Sequence, residues 1–412
     1  MKFKIVKSLL ILNCAIVGGV TLSLFSTSCS KPQTEVDPTD YVGNADGSNW
    51  KGYVSGELTC TFDDNNGSAT LINGGPYVAT DLIIPSKVIN NEKIYLMSSI
   101  GWLAADRMSL SGSLTFPNSL LSVGEYSFFN KVEVTNIDFS YSKHLTYIGN
   151  AAFAKMSLVN QNSIVLPDSL IEIGSFAFDN NEGTYTHDFT LKLPNQLETI
   201  GEGAFYRLKL TGTLIIPQTV QQIGAKAFEG SFFDDIINNS SAYTWASASS
   251  VGPNCKILIN KPLNDNSTSD YDYTISSDQI IGRLACGDLI VPDEITAISN
   301  NCFFHCTGLK TITLGSKITT IGNGAFDDCK YCDLIDISKC QSLTNPDSIG
   351  NNAFNANLLQ IGSRLILNGN DNITASFAGS TGATFVDNVQ WKGLTGSWSR
   401  TSTSSNEWTR IA

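Results

Sequence analysis

The chain has 412 residues, 42% of them hydrophobic, and its 26 basic against 38 acidic side chains give a net charge of −12. Nucleic acid is bound through cationic contacts to phosphate and anionic lipid through basic clusters, so this balance argues against both as partners. Length alone would suggest two or three domains, but a repeat described below overrides that expectation, because a stacked repeat grows without dividing into globules.

At the N-terminus, Lys2, Lys4 and Lys7 precede an apolar run of 17 residues, Leu9 to Phe25, which ends in Ser26-Thr27-Ser28-Cys29. A basic head, an apolar body and small residues before a cleavage point read as a secretory signal over residues 1–28. A cysteine directly behind the small residues adds a lipobox reading, in which the Cys29 thiol is acylated and becomes the new terminus, although Ser26 stands where such signals usually carry Leu. The expectation is an extracytoplasmic protein, lipid-anchored at the cell membrane or cell surface by buried acyl chains. The competing reading is a transmembrane anchor, for which the run is at the short limit. Cleavage removes three lysines and no acid, so the remaining 384 residues carry −15. Residues 29–47 are polar and read as a tether.

From residue 48 to 367 the sequence repeats itself. Ile-Gly-x-x-Ala-Phe begins at Ile148, Ile173, Ile200, Ile223, Ile321 and Ile349, with near copies at Val123 and Ile298 and a weaker start at Ile100. The second residues of these motifs are 23, 25, 25, 27, 23, 75, 23 and 28 apart, with Ser299 in place of one glycine. In phase with them, short apolar triplets end in proline at Pro85, Pro117, Pro167, Pro194, Pro217 and Pro292. Triplets without proline begin at Ile137, Ile312 and Ile335. Each triplet reads as a short strand closed by a residue with no N–H for the ladder. The Ile-Gly pair reads as a corner, its glycine serving close backbone approach or positive φ, and Ala-Phe as a short helical turn. One such unit cannot bury its apolar face, whereas stacking aligns the Phe and Ile residues into a continuous core.

The motif resembles the BspA-like leucine-rich repeat, whose unit often adds Cys three residues after Phe, as Cys306 and Cys329 do here. The resemblance runs from about Leu58 to Leu367, with Gly56 to Asn73 as the usual lead-in. It implies an α/β-type repeat solenoid: a right-handed stack of short parallel strands with few short helical turns. It also implies a secreted or surface protein, several relatives being adhesin-like.

Residues 229–287 break the pattern and read as one degenerate repeat with loop insertions, whose isolated strand is Ile257-Leu258-Ile259. Residues 368–412 fall outside the repeat and hold Trp391, Trp398 and Trp408, read as a cap on the last coil or as rings for sugar stacking. Eight cysteines remain besides Cys14 and Cys29, six of them clustered: Cys286, Cys302, Cys306, Cys329, Cys332 and Cys340. Packed thiols, one or two disulfides, and a zinc site suggested by Cys302-x3-Cys306 and Cys329-x2-Cys332 are the open readings, in that order. His144, His187 and His305 lie in no motif, and Asp179 to Gly183 lacks the distal acid of a calcium loop. No cofactor, metal or catalytic constellation is singled out, so an enzyme is not expected.

Apolar residues fill the outer positions of each triplet, so period-2 alternation turns the middle residue outward. These are Ile83, Thr115, Asp138, Val165, Lys192, Ile215, Leu258, Ile290, Thr313, Asp336 and Ile366. An aliphatic excess in a row facing water arises from strand propensity or marks an interaction surface. The expected function is a cell-surface binding protein, adhesin or receptor-like, that recognises an extracellular protein or glycan through Ile83, Thr115, Val165, Lys192, Ile215, Ile290 and Thr313. The alternative is a non-binding spacer or surface antigen.

Overall fold

The computed structural model describes residues 37–73, 75–158, 163–180, 188–246, 254–260, 280–293, 295–329, 331–345, 348–354, 364–368, 384–385, 395–400 and 407–410. The signal, Cys29, Trp391 and the Asn181–Gly183 part of the candidate calcium loop therefore lie outside the described residues, and Pro38–Ala412 forms one compact unit. The fold begins earlier than the tether boundary expected at residue 47. Val42–Asn44 pairs in parallel with Lys87–Asn90, and Ser86 donates its backbone N–H to the carbonyl of the fully buried Thr39. The lead-in is a hairpin of Thr59–Asp63 and Ser68–Ile72, whose second strand runs parallel to Lys93–Ile100.

Each coil then contributes two strand segments. One lies on the strand face, for example Ser163–Val165 beside Phe189–Lys192, and the other is the two-residue corner strand, for example Tyr147–Ile148 beside Glu172–Ile173. Both ladders are parallel, as stacked coils of one hand require.

The expected α/β class and helical turns are not found: among the described residues every named element is a strand. The reason lies in the backbone of the corner. The second residue after the corner glycine has positive φ in coil after coil: Leu103, Tyr126, Ala151, Phe176, Gly203, Lys226, Asn301, Gly324 and Asn352. A left-handed residue ends any right-handed helical run. With the Ala N–H bonded back to the Gly carbonyl, as in Ala152 to Gly149 (3.3 Å) and Ala353 to Gly350 (3.1 Å), it gives the pattern of a type II turn. Phe-x-x-Cys is a second such turn: Cys306 N–H meets the Phe303 carbonyl at 3.0 Å, with His305 left-handed between them. The Phe amide is thereby freed to bond the next coil, as Phe153 does to the Ala177 carbonyl at 2.8 Å.

The corner glycine itself has ordinary φ and serves close approach alone. A Cβ on Gly224 would lie 2.3 Å from the Glu202 nitrogen of the preceding coil. Ser299 stands at this position in a corner strand, Ala297–Ile298, whose partner among the described residues is the following coil, Thr320–Ile321.

The core divides in two. In the first stack, Phe128, Phe153, Phe178, Phe205 and Phe228 overlap with centroids 5.4–5.6 Å apart; in the second, Phe303, Phe326 and Phe354 follow at 5.1 and 5.2 Å. Between the stacks lies the irregular region. Its first part is a further regular coil, since Asp235–Asn238 runs parallel to Thr213–Ile216. Cys255–Asn260 then pairs antiparallel with both Tyr243–Trp245 and Ile280–Ile290. The isolated strand is thus the centre of an antiparallel wedge, with Ile257 in the second core and Leu258 in the first. At the other end, Thr395–Arg400 pairs antiparallel with the last repeat strand, Arg364–Asn368, and extends the ladder.

Candidate binding surface

The strand face follows the alternation of its triplets. Ile164 and Leu166 are buried and Val165 between them is 62% exposed; Leu214 and Ile216 are buried and Ile215 is 50% exposed. Ile290 is 41% exposed between buried Leu289 and Val291. Lys192 is exposed, while Ile83, Asp138, Thr313, Asp336 and Ile366 are half-buried.

Two middle positions depart from this. Thr115 is only 9% exposed, held in register between Ile83 and Asp138. Leu258 is fully buried, because its strand belongs to the wedge and has a core on each side. Sequence reasoning missed Ile237, which is 40% exposed and in register with Ile215; the pair Ile236-Ile237, one coil beyond Leu214-Ile215, was the available signal. The register places Val165 beside Lys192, Ile215 beside Ile237, and Ile290 beside Thr313.

A groove of about 470 Å³ opens on this face. It spans the interruption of the ladder between Val134–Asp138 and Ser163–Val165, which are not hydrogen-bonded to each other. Its lining includes Ser140, Lys143, Val165, Asp168 and Lys192. Among the described residues neither lysine side chain has an ion-pair or hydrogen-bond partner. Ser142 and Ser169 also line it, but their hydroxyls are engaged with the Phe116 and Leu145 carbonyls at 3.2 and 2.7 Å. No periodic signal in the sequence marks Lys143.

A second, polar groove lies over the corners from Ile298 to Gly350. Its Asn300 and Asn323 carbonyl oxygens accept the backbone N–H groups of Asn323 and Asn351 in the following coils, each at 2.8 Å, so these oxygens are spent on the fold.

The clustered thiols are buried. Burial pushes Cys302, Cys306 and Cys332 up to about 12, and the Cys329 thiol meets the Phe303 carbonyl at 3.3 Å. They are free thiols, and no set of three metal-ligating groups is gathered among the described residues.

Of the histidines, His144 is exposed, with Nδ1 3.0 Å from the Asn118 carbonyl, and His187 lies outside the described residues. His305 crosses between the stacks. Its Nδ1 meets the buried Glu229 carboxylate, and Nε2 is 3.5 Å from Asp328. Burial pushes the Glu229 carboxyl up, but the His305 hydrogen bond and charge, the Lys226 charge and the Tyr206 hydroxyl together hold it below its ordinary value.

Comparison with protein families decides the relationship. The profile of the BspA type leucine rich repeat region matches residues 106–233, 183–249 and 275–377, in six copies. The chain belongs to the BspA-type leucine-rich repeat family. No curated protein matches it. Among solved structures, this BspA-type chain is similar to a leucine rich cell surface protein from Faecalibacterium prausnitzii, at 20% identity over 80% of this chain and 92% of that one, TM-score 0.45. The pneumococcal vaccine antigen PcpA is 18% identical over 75% and 82%, TM-score 0.43. A leucine-rich repeat protein from Bacteroides ovatus is 20% identical over 74% and 86%, TM-score 0.33.

Proposed function

We propose that this BspA-type solenoid is a binding module of the cell surface, exported by its N-terminal signal and lipid-anchored through Cys29. It recognises an extracellular protein or glycan through the strand face. The observation that carries this reading is the set of exposed aliphatics Val165, Ile215, Ile237 and Ile290, each the outward residue of a strand-face segment, with Ile215 and Ile237 in one ladder and Val165 and Ile290 in two others. Solenoids use such extended faces for recognition, and apolar surface gathered on one face is the usual mark of an interaction site. Ile83, Thr313 and Lys192 border the row; Thr115 is too covered to contribute more than its edge.

The test is saturable capture of host matrix and serum components by the purified full-length protein and by a Val165→Asp, Ile215→Asp variant. The variant should lose capture at unchanged melting temperature, since both side chains already face water. Full capture by the variant, or none by the parent, sinks the reading; the second result would favour a spacer. For the anchor, Cys29→Ala should abolish incorporation of radiolabelled fatty acid, and persisting label would exclude Cys29.

A further inference from the structure

We infer that the groove around Val165 binds a carboxylated saccharide, an inference that rests on the strand-face reading above and names the ligand class for part of it. In chain order the groove presents Lys143 from one coil, Val165 from the next and Lys192 from the one after, so an apolar residue comes between the two lysines in coil order. Both lysines are exposed and neither has a partner among the described residues, in a protein whose overall charge is −12.

An unpaired pair of ammoniums on an acidic protein selects an anion and repels little else of use; each can donate charge-assisted hydrogen bonds to a carboxylate. Val165, 62% exposed, offers an apolar surface for the C–H face of a ring. Asp168 and Ser140 are exposed in the same groove and supply an acceptor and a donor–acceptor for hydroxyl groups. An acidic peptide would use the lysines and find Asp168 repulsive. A uronate-type sugar uses all of them: its carboxylate on Lys143 and Lys192, its hydroxyls on Asp168 and Ser140, its apolar face on Val165. The site needs no rearrangement of the core, because the buried hydroxyls of Ser142 and Ser169 are already satisfied within the fold.

Calorimetric titration of the full chain tests this, with three probes of matched length. These are an oligosaccharide containing glucuronate, a neutral N-acetylglucosamine oligomer, and poly-glutamate. The acidic oligosaccharide should bind saturably and at least about tenfold tighter than either other probe, about 1.4 kcal/mol. Lys143→Gln and Lys192→Gln should each weaken it about tenfold without changing the melting temperature, and added salt should weaken it in the parent protein. Equal binding of the neutral oligomer, no saturation with the acidic one, or indifference to both lysine variants overturns the inference. Tighter binding of poly-glutamate overturns it in favour of an acidic peptide. If the lysine variants still capture a macromolecular partner in a manner sensitive to Val165→Asp and Ile215→Asp, the saccharide is wrong and the strand-face reading stands.

Discussion

In the stack before the wedge, the residue following the corner glycine changes from coil to coil: Glu125, Asn150, Ser175, Glu202, Ala225. In the stack after it, the same position is Asn300, Asn323 and Asn351, and the side-chain carbonyls of the first two cap the next coil's N–H, as Asn150 alone of the first-stack residues does for Ser175. The left-handed turn position differs in the same sense. The first stack places Leu103, Tyr126, Ala151, Phe176 and Lys226 there, where positive φ is costly, with Gly203 its one glycine, whereas the second uses Asn301, Gly324 and Asn352, which tolerate it. The second stack also fills its core with thiols, and the first with a longer run of rings. One repeat motif is therefore satisfied locally throughout one half and carries backbone strain at most coils of the other. The unpaired lysine groove and Val165, Ile215 and Ile237 of the strand-face row fall in the strained half. Local consistency and the proposed binding surface have separated along the stack.

The largest effects should show whether the two cores are independent. Phe205→Ala and Phe326→Ala should each cost about 3–5 kcal/mol in denaturant unfolding. Hydrogen exchange should rise in the coils on the same side of the wedge and hardly beyond it, since coil contacts are nearest-neighbour. Deprotection that spreads across residues 255–260 from either variant would mean a single core.

The Glu229–His305 contact is a buried polar contact in the joint between them. Because the folded Glu229 carboxyl is held below its ordinary value of 4.5, it stabilises the fold above that pH and the contribution disappears as pH falls through the lowered value. Glu229→Gln should cost about 1–3 kcal/mol at neutral pH and flatten that acid limb of the stability profile. An unchanged acid limb would place the titration elsewhere.

The corner ladder gives a sharper contrast. Gly224→Ala forces a Cβ onto the Glu202 backbone and should cost about 1–3 kcal/mol. Ser299→Ala, at the same motif position where a Cβ is already accommodated and the corner strand pairs, among the described residues, with the following coil, should stay within about 0.5 kcal/mol. Comparable losses at both would mean that the corner ladder continues through the wedge. The smallest pair has opposite signs: Ala151→Gly should stabilise and Gly324→Ala destabilise, each by about 1 kcal/mol, because both residues are left-handed. Matching denaturation midpoints would show that the strain is not there.

Much of this was legible in residue spacing. The phase of Phe153, Phe205 and Phe326 follows from period alone, as does the outward turn of Val165 and Ile215, because stacking leaves one apolar solution per coil. The turn chemistry was hidden, since Tyr126, Phe176 and Lys226 are not residues that advertise positive φ; only Gly203, Gly324 and the Asn positions do. Leu258 was misplaced because an antiparallel wedge with a core on each face has no periodic signature. Lys143 was invisible for a related reason: it follows its strand in an irregular segment, where spacing carries no information about which groove a side chain reaches.

The span across the wedge also sets an order of assembly. Most hydrogen bonds between coils join residues roughly 22 to 28 positions apart, whereas the Thr307 hydroxyl donates to the Ser231 carbonyl across 76. Tripling a loop adds only about 1 kcal/mol of closure entropy, so the joint is affordable at equilibrium but disfavoured early. Each stack can zip coil by coil from its own nucleus while the joint is still open, and contacts of high sequence separation form late. Refolding should therefore show two phases, with the burial of Glu229 against His305 belonging to the slower. A chain that folds from its N-terminal side would hold a finished first stack, with its groove already shaped, before the second had closed against it.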